Sequence, residues 1–322
     1  NIEEKLMEYI IAFTVAFLIV VLLMPIFIKA SFKYGFTDKP TKRKKHSKET
    51  PLIGGLVMFI GFFASYFIFN DFFDKKGIMI FFAAFLILVI GLIDDYYKTR
   101  GREFPIYPRL VIQLLAAFLI YNSGIVFRGF TNPFSGIYIN LSEVVQFILT
   151  ITWIFGVTTV INWSDGMDGL AGGLTCISSI TFLGAAIILN QRESSLMSIM
   201  VVGITLGFLV YNRFPAKVFM GDSGANFLGF MLSIIALDGA FKQATLMSIF
   251  IPILALAIPI FDNIFVIVKR FLDGKPVYQA DRSQIHFRLQ AKGFTPRQVV
   301  IYINAVSLAF SVISIVLLIY KN

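Results

Sequence analysis

The chain has 322 residues, of which 57% are hydrophobic and 15% charged, with a mean hydropathy of +0.80 and a formal net charge of +9. A soluble domain carries about 25% charged residues, so this composition excludes a soluble globular core and describes a polytopic membrane protein. The basicity reads as membrane topology, not as nucleic-acid binding. The single cysteine, Cys176, excludes an internal disulfide framework and reads as a small packing residue.

A spanning helix needs about 20 mostly apolar residues. Ten apolar runs approach or exceed this length, near residues 8–30, 52–70, 78–93, 108–122, 141–161, 173–190, 196–212, 223–238, 244–270 and 297–320. The first follows Glu3 and Glu4 without a strongly basic segment, which predicts a spanning helix and not a cleaved signal. The third, fourth and eighth runs are short, so their ends are predicted to lie inside the protein. Residues 125–140, IVFRGFTNPFSGIYIN, carry strand formers on both sides of Asn-Pro and Ser-Gly and predict a small hairpin on the outer face. Pro252 and Pro259 predict a broken helix near Asp262, a rare charge inside an apolar run.

Ten spans place both termini on one side. The loops on the other side, near 31–51, 94–107, 162–172, 213–222 and 271–296, hold with their flanks 21 of the 28 Lys and Arg residues. Positive residues stay cytoplasmic. These loops are therefore predicted to face the cytoplasm, with both termini outside. The predicted fold is an all-α polytopic membrane protein of about ten transmembrane helices, one integral membrane domain over residues 1–322.

The cytoplasmic loops also hold nearly every unusual polar residue. Asp94 and Asp95 close the third run in GLIDDYYKTRGR; Asn162, Asp165 and Asp168 follow the fifth in NWSDGMDGLAGG; Asp222 precedes the eighth in MGDSG. Arg43, Lys45 and His46 lie in the first loop, and Asp281, Arg282, His286 and Arg288 in the last. A charged residue at membrane depth costs about 2.5–3.5 kcal/mol and usually marks a pathway or a site. Oxygen ligands of this kind suit a hard cation such as Mg²⁺, which uses one or two carboxylates together with substrate phosphates. Basic residues would hold the rest of a phosphate-bearing ligand, and the glycines allow close backbone approach at helix N-termini. Each feature has a plainer explanation: a solvated helix end, an Asp-Gly turn, a basic run that sets topology, a surface histidine. Their coincidence on one face favours a metal-assisted phosphoryl-transfer site at the membrane surface.

Five motifs in order, DKPTKRKKHSKETPLIGG, GLIDDYY, NWSDGMDGLAGG, NRFPAKVFMGDSG and ADRSQIHFRLQAKGF, spread over about residues 38–297, carry a resemblance. The sequence resembles the polyprenyl-phosphate N-acetylhexosamine-1-phosphate transferases of the WecA and TagO type, relatives of MraY. The resemblance implies transfer of a sugar-1-phosphate from a UDP-N-acetylhexosamine to polyprenyl phosphate at the cytoplasmic side of the plasma (inner) membrane. UMP is released, and Mg²⁺ or Mn²⁺ is required. It assigns Asp94 as a base or positioner of the lipid phosphate, Asp95 and Asp165 to the same catalytic centre, and Asp222 and Asn162 to the metal. Asp168 matches the uracil-recognising position, and His286 and Arg288 match the motif that contacts sugar and diphosphate. Arg282, Arg43, Lys45 and His46 complete the residues predicted to bind substrate. Where the family usually reads HIHHRL, this chain has Gln284 and Phe287 in place of two histidines. The phenylalanine resembles the MraY form, which keeps a muramoyl-pentapeptide donor as an alternative. A transporter would place polar groups near mid-span, and a CDP-alcohol-type phosphotransferase would need an Arg shortly after its first Asp-Gly. A homodimer is left open, as is the choice between direct displacement and an aspartyl-phosphate on Asp94 or Asp95.

Overall fold

The computed structural model describes residues 2–39, 49–70, 74–132, 135–239, 246–276 and 282–321. All ten apolar runs are helical. In chain order the helices are α1 (Ile2–Tyr34), α2 (Gly54–Phe69), α3 (Lys75–Thr99), α4 (Ile106–Asn122), α5 (Glu143–Ser164), α6 (Leu170–Ile188), α7 (Arg192–Asn212), α8 (Gly221–Asp238), α9 (Leu246–Ala255), α10 (Ala257–Leu272), α11 (Ile285–Ala291) and α12 (Pro296–Lys321). Helix α11, in the last loop, corresponds to no apolar run.

Six of them (α1, α3, α5, α6, α7 and α12) are long and apolar enough to cross a bilayer alone, and the bent pair α9 and α10 adds a seventh if it is one broken span and not a re-entrant loop. The chain is thus a multi-pass membrane protein. The three elements that separate this count from ten are α2, α4 and α8, of 16, 17 and 18 residues. Helix α8 has a physical reason for its weaker apolar signal: every residue in it except Asp222 is buried. It packs against α5, α3 and α2, so its surroundings are protein. Phe227 on α8 meets Phe59 and Phe62 on α2 at ring-centroid distances of 5.4 and 6.0 Å.

Proline breaks inside apolar helices leave a carbonyl without its usual donor, and in a membrane a side chain must replace it. Pro25 in α1 frees the Val21 carbonyl, which accepts the Tyr211 hydroxyl at 2.9 Å. Pro259 in α10 frees the Ala255 carbonyl, which accepts the Ser178 hydroxyl at 2.7 Å. The predicted break near Asp262 is therefore real, and α9 and α10 meet at 76°.

Two short antiparallel ladders complete the fold. Strands β1 (Thr37–Asp38) and β2 (Thr50–Pro51) close the base of the first loop. Phe219 N–H donates to the Pro51 carbonyl at 2.8 Å, and Gly54 and Gly55 N–H donate to the carbonyls of Phe219 and Met220 at 3.0 Å. These bonds hold the first loop beside the start of α8. Strands β3 (Gly129–Thr131) and β4 (Tyr138–Asn140) form the hairpin anticipated between α4 and α5.

Candidate active site

The site begins where the end of α3 meets the start of α8. Asp95 is fully buried. Its carboxylate accepts the backbone N–H groups of Asp222 (2.8 Å) and Ser223 (3.0 Å) and the Ser223 hydroxyl (2.8 Å). The first N–H groups of a helix lack intrahelical partners and carry partial positive charge. Asp95 supplies those partners from another helix, so it fixes the N-terminus of α8 and with it Asp222. Gly221 is obligatory here: its φ is +70°, and a Cβ would lie 2.3 Å from the Asp95 carboxylate. Asp95, expected among the catalytic acids, is buried and accepts three hydrogen bonds from the start of α8, which it positions.

Asp94 points to the other side of the same turn. It pairs with Arg109 of α4 at 2.9 Å and with Lys98 at 3.6 Å. Asp222 pairs with Lys98 at 2.6 Å and Arg109 at 3.6 Å, so the two carboxylates lie against the same pair of cations. Two acids 128 residues apart thus share two cations. Their accessibility differs: the Asp222 side chain is 19% exposed and that of Asp94 2%. Asp222 and Lys98, itself 40% exposed, are thus accessible from outside the protein, and Asp94 is buried. Lys98 and Arg109 were not singled out in the sequence. The available signal was the four-residue spacing from Asp94 to Lys98, which puts both on one helix face; nothing local links Arg109 to Asp94.

Asp165 caps the C-terminus of α5. Burial pushes its carboxyl up to about 7, and the negative charge of Asp222 adds to the rise. Asn162, in the last turn of α5, has a buried amide nitrogen with no hydrogen-bond partner. Asp168 accepts the Ala216 N–H at 2.9 Å, while the Gly169 N–H donates to Asn212 at 2.8 Å. Asp168 thus tethers the segment that leads into α8.

The last loop packs behind this turn. His286 is 1% exposed, and a Cβ on Gly166 would lie 2.2 Å from its Nε2. Burial lowers its imidazole to about 4, so it is neutral near pH 7. Arg288, expected at the diphosphate, pairs with Asp262 at 2.7 Å and lies over the Phe265 ring. Asp262 also accepts the Ile285 N–H at 2.9 Å, so it anchors α11 to α10. Arg282 is exposed and has no ion-pair partner among the described residues. Arg43, Lys45 and His46, like Asp281, lie outside the described residues. The structure therefore brings Asp94, Asp95, Asp165 and Asp222 together, sets Asn162 and Asp168 in the adjoining turn, and holds His286 and Arg288 in the layer behind it.

Fold and hydropathy define a multi-pass membrane protein with an acid-rich cluster at one end of its bundle. Comparison with known proteins gives the class a family. The family described as Glycosyl transferase family 4 matches residues 77–240, the stretch from α3 to just past α8 that carries Asp94, Asn162 and Asp222. A Bacillus subtilis (strain 168) protein named "Probable undecaprenyl-phosphate N-acetylglucosaminyl 1-phosphate transferase" is 38% identical over 98% of this chain and 87% of its own length. The chain belongs to glycosyl transferase family 4, in agreement with the WecA and TagO resemblance. A phospho-N-acetylmuramoyl-pentapeptide-transferase of Carboxydothermus hydrogenoformans is 28% identical, over 91% of this chain and 92% of its own. A decaprenyl-phosphate N-acetylglucosaminephosphotransferase of Mycobacterium tuberculosis (strain ATCC 25618 / H37Rv) is also 28% identical, over 87% of this chain and 74% of its own.

Proposed function

We propose that the protein transfers N-acetylglucosamine-1-phosphate, or a related N-acetylhexosamine-1-phosphate, from a UDP-sugar to undecaprenyl phosphate or a similar polyprenyl phosphate and releases UMP, a membrane step of cell-envelope glycan synthesis. The observation that carries this reading is the sharing of Lys98 and Arg109 by Asp94 and Asp222 at one end of a membrane bundle, in a chain 38% identical to the Bacillus protein.

The chemistry asks the protein mainly for placement and charge neutralisation. A phosphate monoester has a second pKa of about 6, so the lipid phosphate is already an anionic nucleophile at neutral pH. The obstacle is its repulsion by the donor diphosphate. Lys98 and Arg109 would contact the phosphates, and Asp222 would orient Lys98 toward them. The burial of Asp94 behind Asp222 supports direct displacement over an aspartyl-phosphate on that residue. The full burial of Asp95 and its three bonds to the α8 N-terminus argue the same for its neighbour.

The donor set fits Mg²⁺ or Mn²⁺. Two carboxyls, Asp94 and Asp222, lie against the same two cations, and Asn162 in the adjoining turn could add its amide oxygen, while its buried, unpartnered amide nitrogen is a donor for a ligand oxygen. Among the described residues no three His, Cys, Asp or Glu side chains already converge as a metal site. Mg²⁺ takes one or two carboxylates and completes its shell with waters and phosphates. Asp222 and Asn162 would hold the ion, which supplies charge neutralisation at the donor diphosphate when bound.

The charge bias of the loops supports ten spans within one integral domain over residues 1–322, this site in the cytoplasm, the β3–β4 hairpin outside and both termini outside. Lys76, Arg192 and Glu193 lie at the N-termini of α3 and α7, and Asp238 at the C-terminus of α8, which sets them at the opposite end of the bundle.

The test is a transfer assay. Detergent-purified protein is given Mg²⁺, undecaprenyl phosphate and, in parallel, UDP-N-acetylglucosamine, UDP-N-acetylgalactosamine and UDP-N-acetylmuramoyl-pentapeptide. UMP release that requires both UDP-N-acetylglucosamine and the lipid is the expected result. Product only from the muramoyl donor would move the protein to its MraY-type relatives, a reading that Phe287 favours. No product from any donor, with solute uptake into proteoliposomes, would sink the transferase assignment.

A further inference from the structure

Helix α3 ends in a second group of cations that the site does not use. At 100° per residue, Asp94, Asp95 and Lys98 occupy about 100° of the helix circumference, and Tyr96, Tyr97 and Arg100 fall on the opposite arc. There Tyr96, Tyr97, Arg100 and Arg102, all but Tyr97 exposed, line an open surface recess of about 380 Å³. The Arg100 guanidinium lies 5.4 Å from the centre of the Tyr96 ring, and Tyr97 packs on Phe104 at 5.1 Å.

The local backbone shows that these arginines are not needed to finish the helix. Gly101, at φ +67°, donates its N–H to the Lys98 carbonyl at 3.0 Å, and Arg102 N–H reaches the Tyr97 carbonyl at 3.0 Å. This is a Schellman cap. It satisfies two of the last carbonyls with backbone donors and swings Arg102 back beside Tyr97. Among the described residues neither Arg100 nor Arg102 has a carboxylate partner. Tyr107, 80% exposed, and Ile106, 43% exposed, begin the next helix close by. Tyrosines at the end of an apolar span mark the membrane–water interface.

We propose that Tyr96, Tyr97, Arg100 and Arg102 form an interfacial anion site, separate from the acid cluster, that takes a phosphate diester or monoester: the headgroup of an anionic membrane lipid, or free phosphate through the same chemistry. The guanidiniums supply fork-shaped donors matched to phosphate oxygens. The tyrosines add hydroxyl donors and a ring face against the glycerol. A basic pocket at the inner interface is the kind of site that retains anionic headgroups.

The full chain, purified in detergent and equilibrated with equal phosphatidylglycerol and phosphatidylcholine, is analysed for bound lipid by native mass spectrometry. Three forms are compared: wild type, Arg100→Gln/Arg102→Gln, and Lys292→Gln as a control cation in another loop. One Lys or Arg near an anionic lipid surface is worth about five-fold in affinity. The phosphatidylglycerol preference should therefore fall at least about five-fold in the double variant and hold in the control. Equal preference in wild type and the double variant, or an equal fall in Lys292→Gln, overturns the site. If the double variant aggregates, Tyr96→Leu gives the same readout without changing charge, and unaltered retention there overturns the proposal too. Lipid-free thermal shifts with inorganic phosphate separate the sources. A rise confined to proteins that keep both arginines assigns the pocket to free phosphate; no rise, with lipid preference intact, assigns it to the headgroup.

Discussion

The two ends of the bundle carry charge in different ways. At the end away from the site, Lys76 of α3 bridges Glu193 at 2.5 Å and Asp238 at 2.7 Å, and Arg192 pairs with Glu8. Asp238 also receives the Ser194 hydroxyl at 3.3 Å. Three acids there meet two bases, each acid in an ion pair, and α1, α3, α7 and α8 are tied together. At the site end, among the described residues, the ion pairs of Asp94, Asp95, Asp165, Asp168 and Asp222 are those with Lys98 and Arg109. Asp95 and Asp168 are occupied by backbone donors. What remains is Asp94, Asp165 and Asp222 around two cations that a phosphate ligand would also want. Both ends set three acids against two bases; the difference is that every acid at the far end is in an ion pair, whereas at the site Asp94 and Asp222 share both cations and Asp165 is in no ion pair among the described residues.

The largest effect should come from Asp222→Ala. Removing one preorganised charge from a transfer site typically costs about 10²–10³-fold in turnover, and UMP release with saturating donor and Mg²⁺ measures it. Thermal unfolding should show a folded protein, because the α8 N-terminus is held through the Asp222 backbone and Asp95, not through the Asp222 side chain. Wild-type turnover would erase the functional difference between the two ends.

Asp95→Ala comes next and separates positioning from chemistry. It strips the N-terminus of α8 of its acceptor and leaves the Ser223 donors buried, at a cost of about 1–3 kcal/mol each. The expected result is a lower unfolding temperature together with lost activity, and partial recovery of both in Asp95→Asn, which restores an acceptor oxygen. Full stability with lost turnover would instead make Asp95 a direct participant in the reaction.

How far all this could be read from the sequence depends on the range of each interaction. Apolar runs report burial residue by residue, so every long helix was legible, including the break that Pro252 and Pro259 announce, while the short α11 in the last loop was not. The span number was less so, because α8 is enclosed by protein and no longer needs the composition of a lipid-facing helix. Asp94 and Asp222 were visible as acids at membrane depth. The roles of Asp95, Asp168 and Arg288 were not, because each is decided by a distant partner: the α8 N-terminus, Ala216 and Asp262. Arg109 counted only as a loop charge until α4 was placed beside α3.

The pH dependence of stability gives a smaller, signed effect. Asp165 sits at about 7 in the folded protein against an ordinary value of 3.8. Between roughly pH 4 and 7 the unfolded chain has lost this proton and the folded protein keeps it, so this group makes stability fall as pH rises and level off above 7. His286, at about 4 against 6.5, acts oppositely: its neutral folded form loses stability as pH drops from 6.5 toward 4. The two slopes overlap, so the measurement is the difference between Asp165→Asn and wild type in unfolding temperature from pH 4.5 to 8, in EDTA. The variant should gain on wild type as pH rises. Excess Mg²⁺ should shrink that gain, since an ion at the cluster favours ionised carboxyls. A gap that ignores pH would remove Asp165 from the crowded charge.

The far end should give the smallest effects, and its value is as the counterpart of the first experiment. Arg192 and Glu8 are 47% and 22% exposed, and pairs of this kind contribute about 0.2–1 kcal/mol, so Arg192→Ala should lower the unfolding temperature slightly. Lys76→Ala should cost more, because Asp238 is only 7% exposed and would keep the Ser194 hydroxyl as a weaker partner; about 1–3 kcal/mol is the scale for a buried group left short of its donor. Neither variant should alter kcat or the KM for the donor once the protein is folded, because the cluster meets no substrate. If Lys76→Ala slowed turnover at full stability, the two ends would be coupled through α3 and α8, whose opposite termini carry both clusters. The far end would then be part of the machinery and not a passive tie.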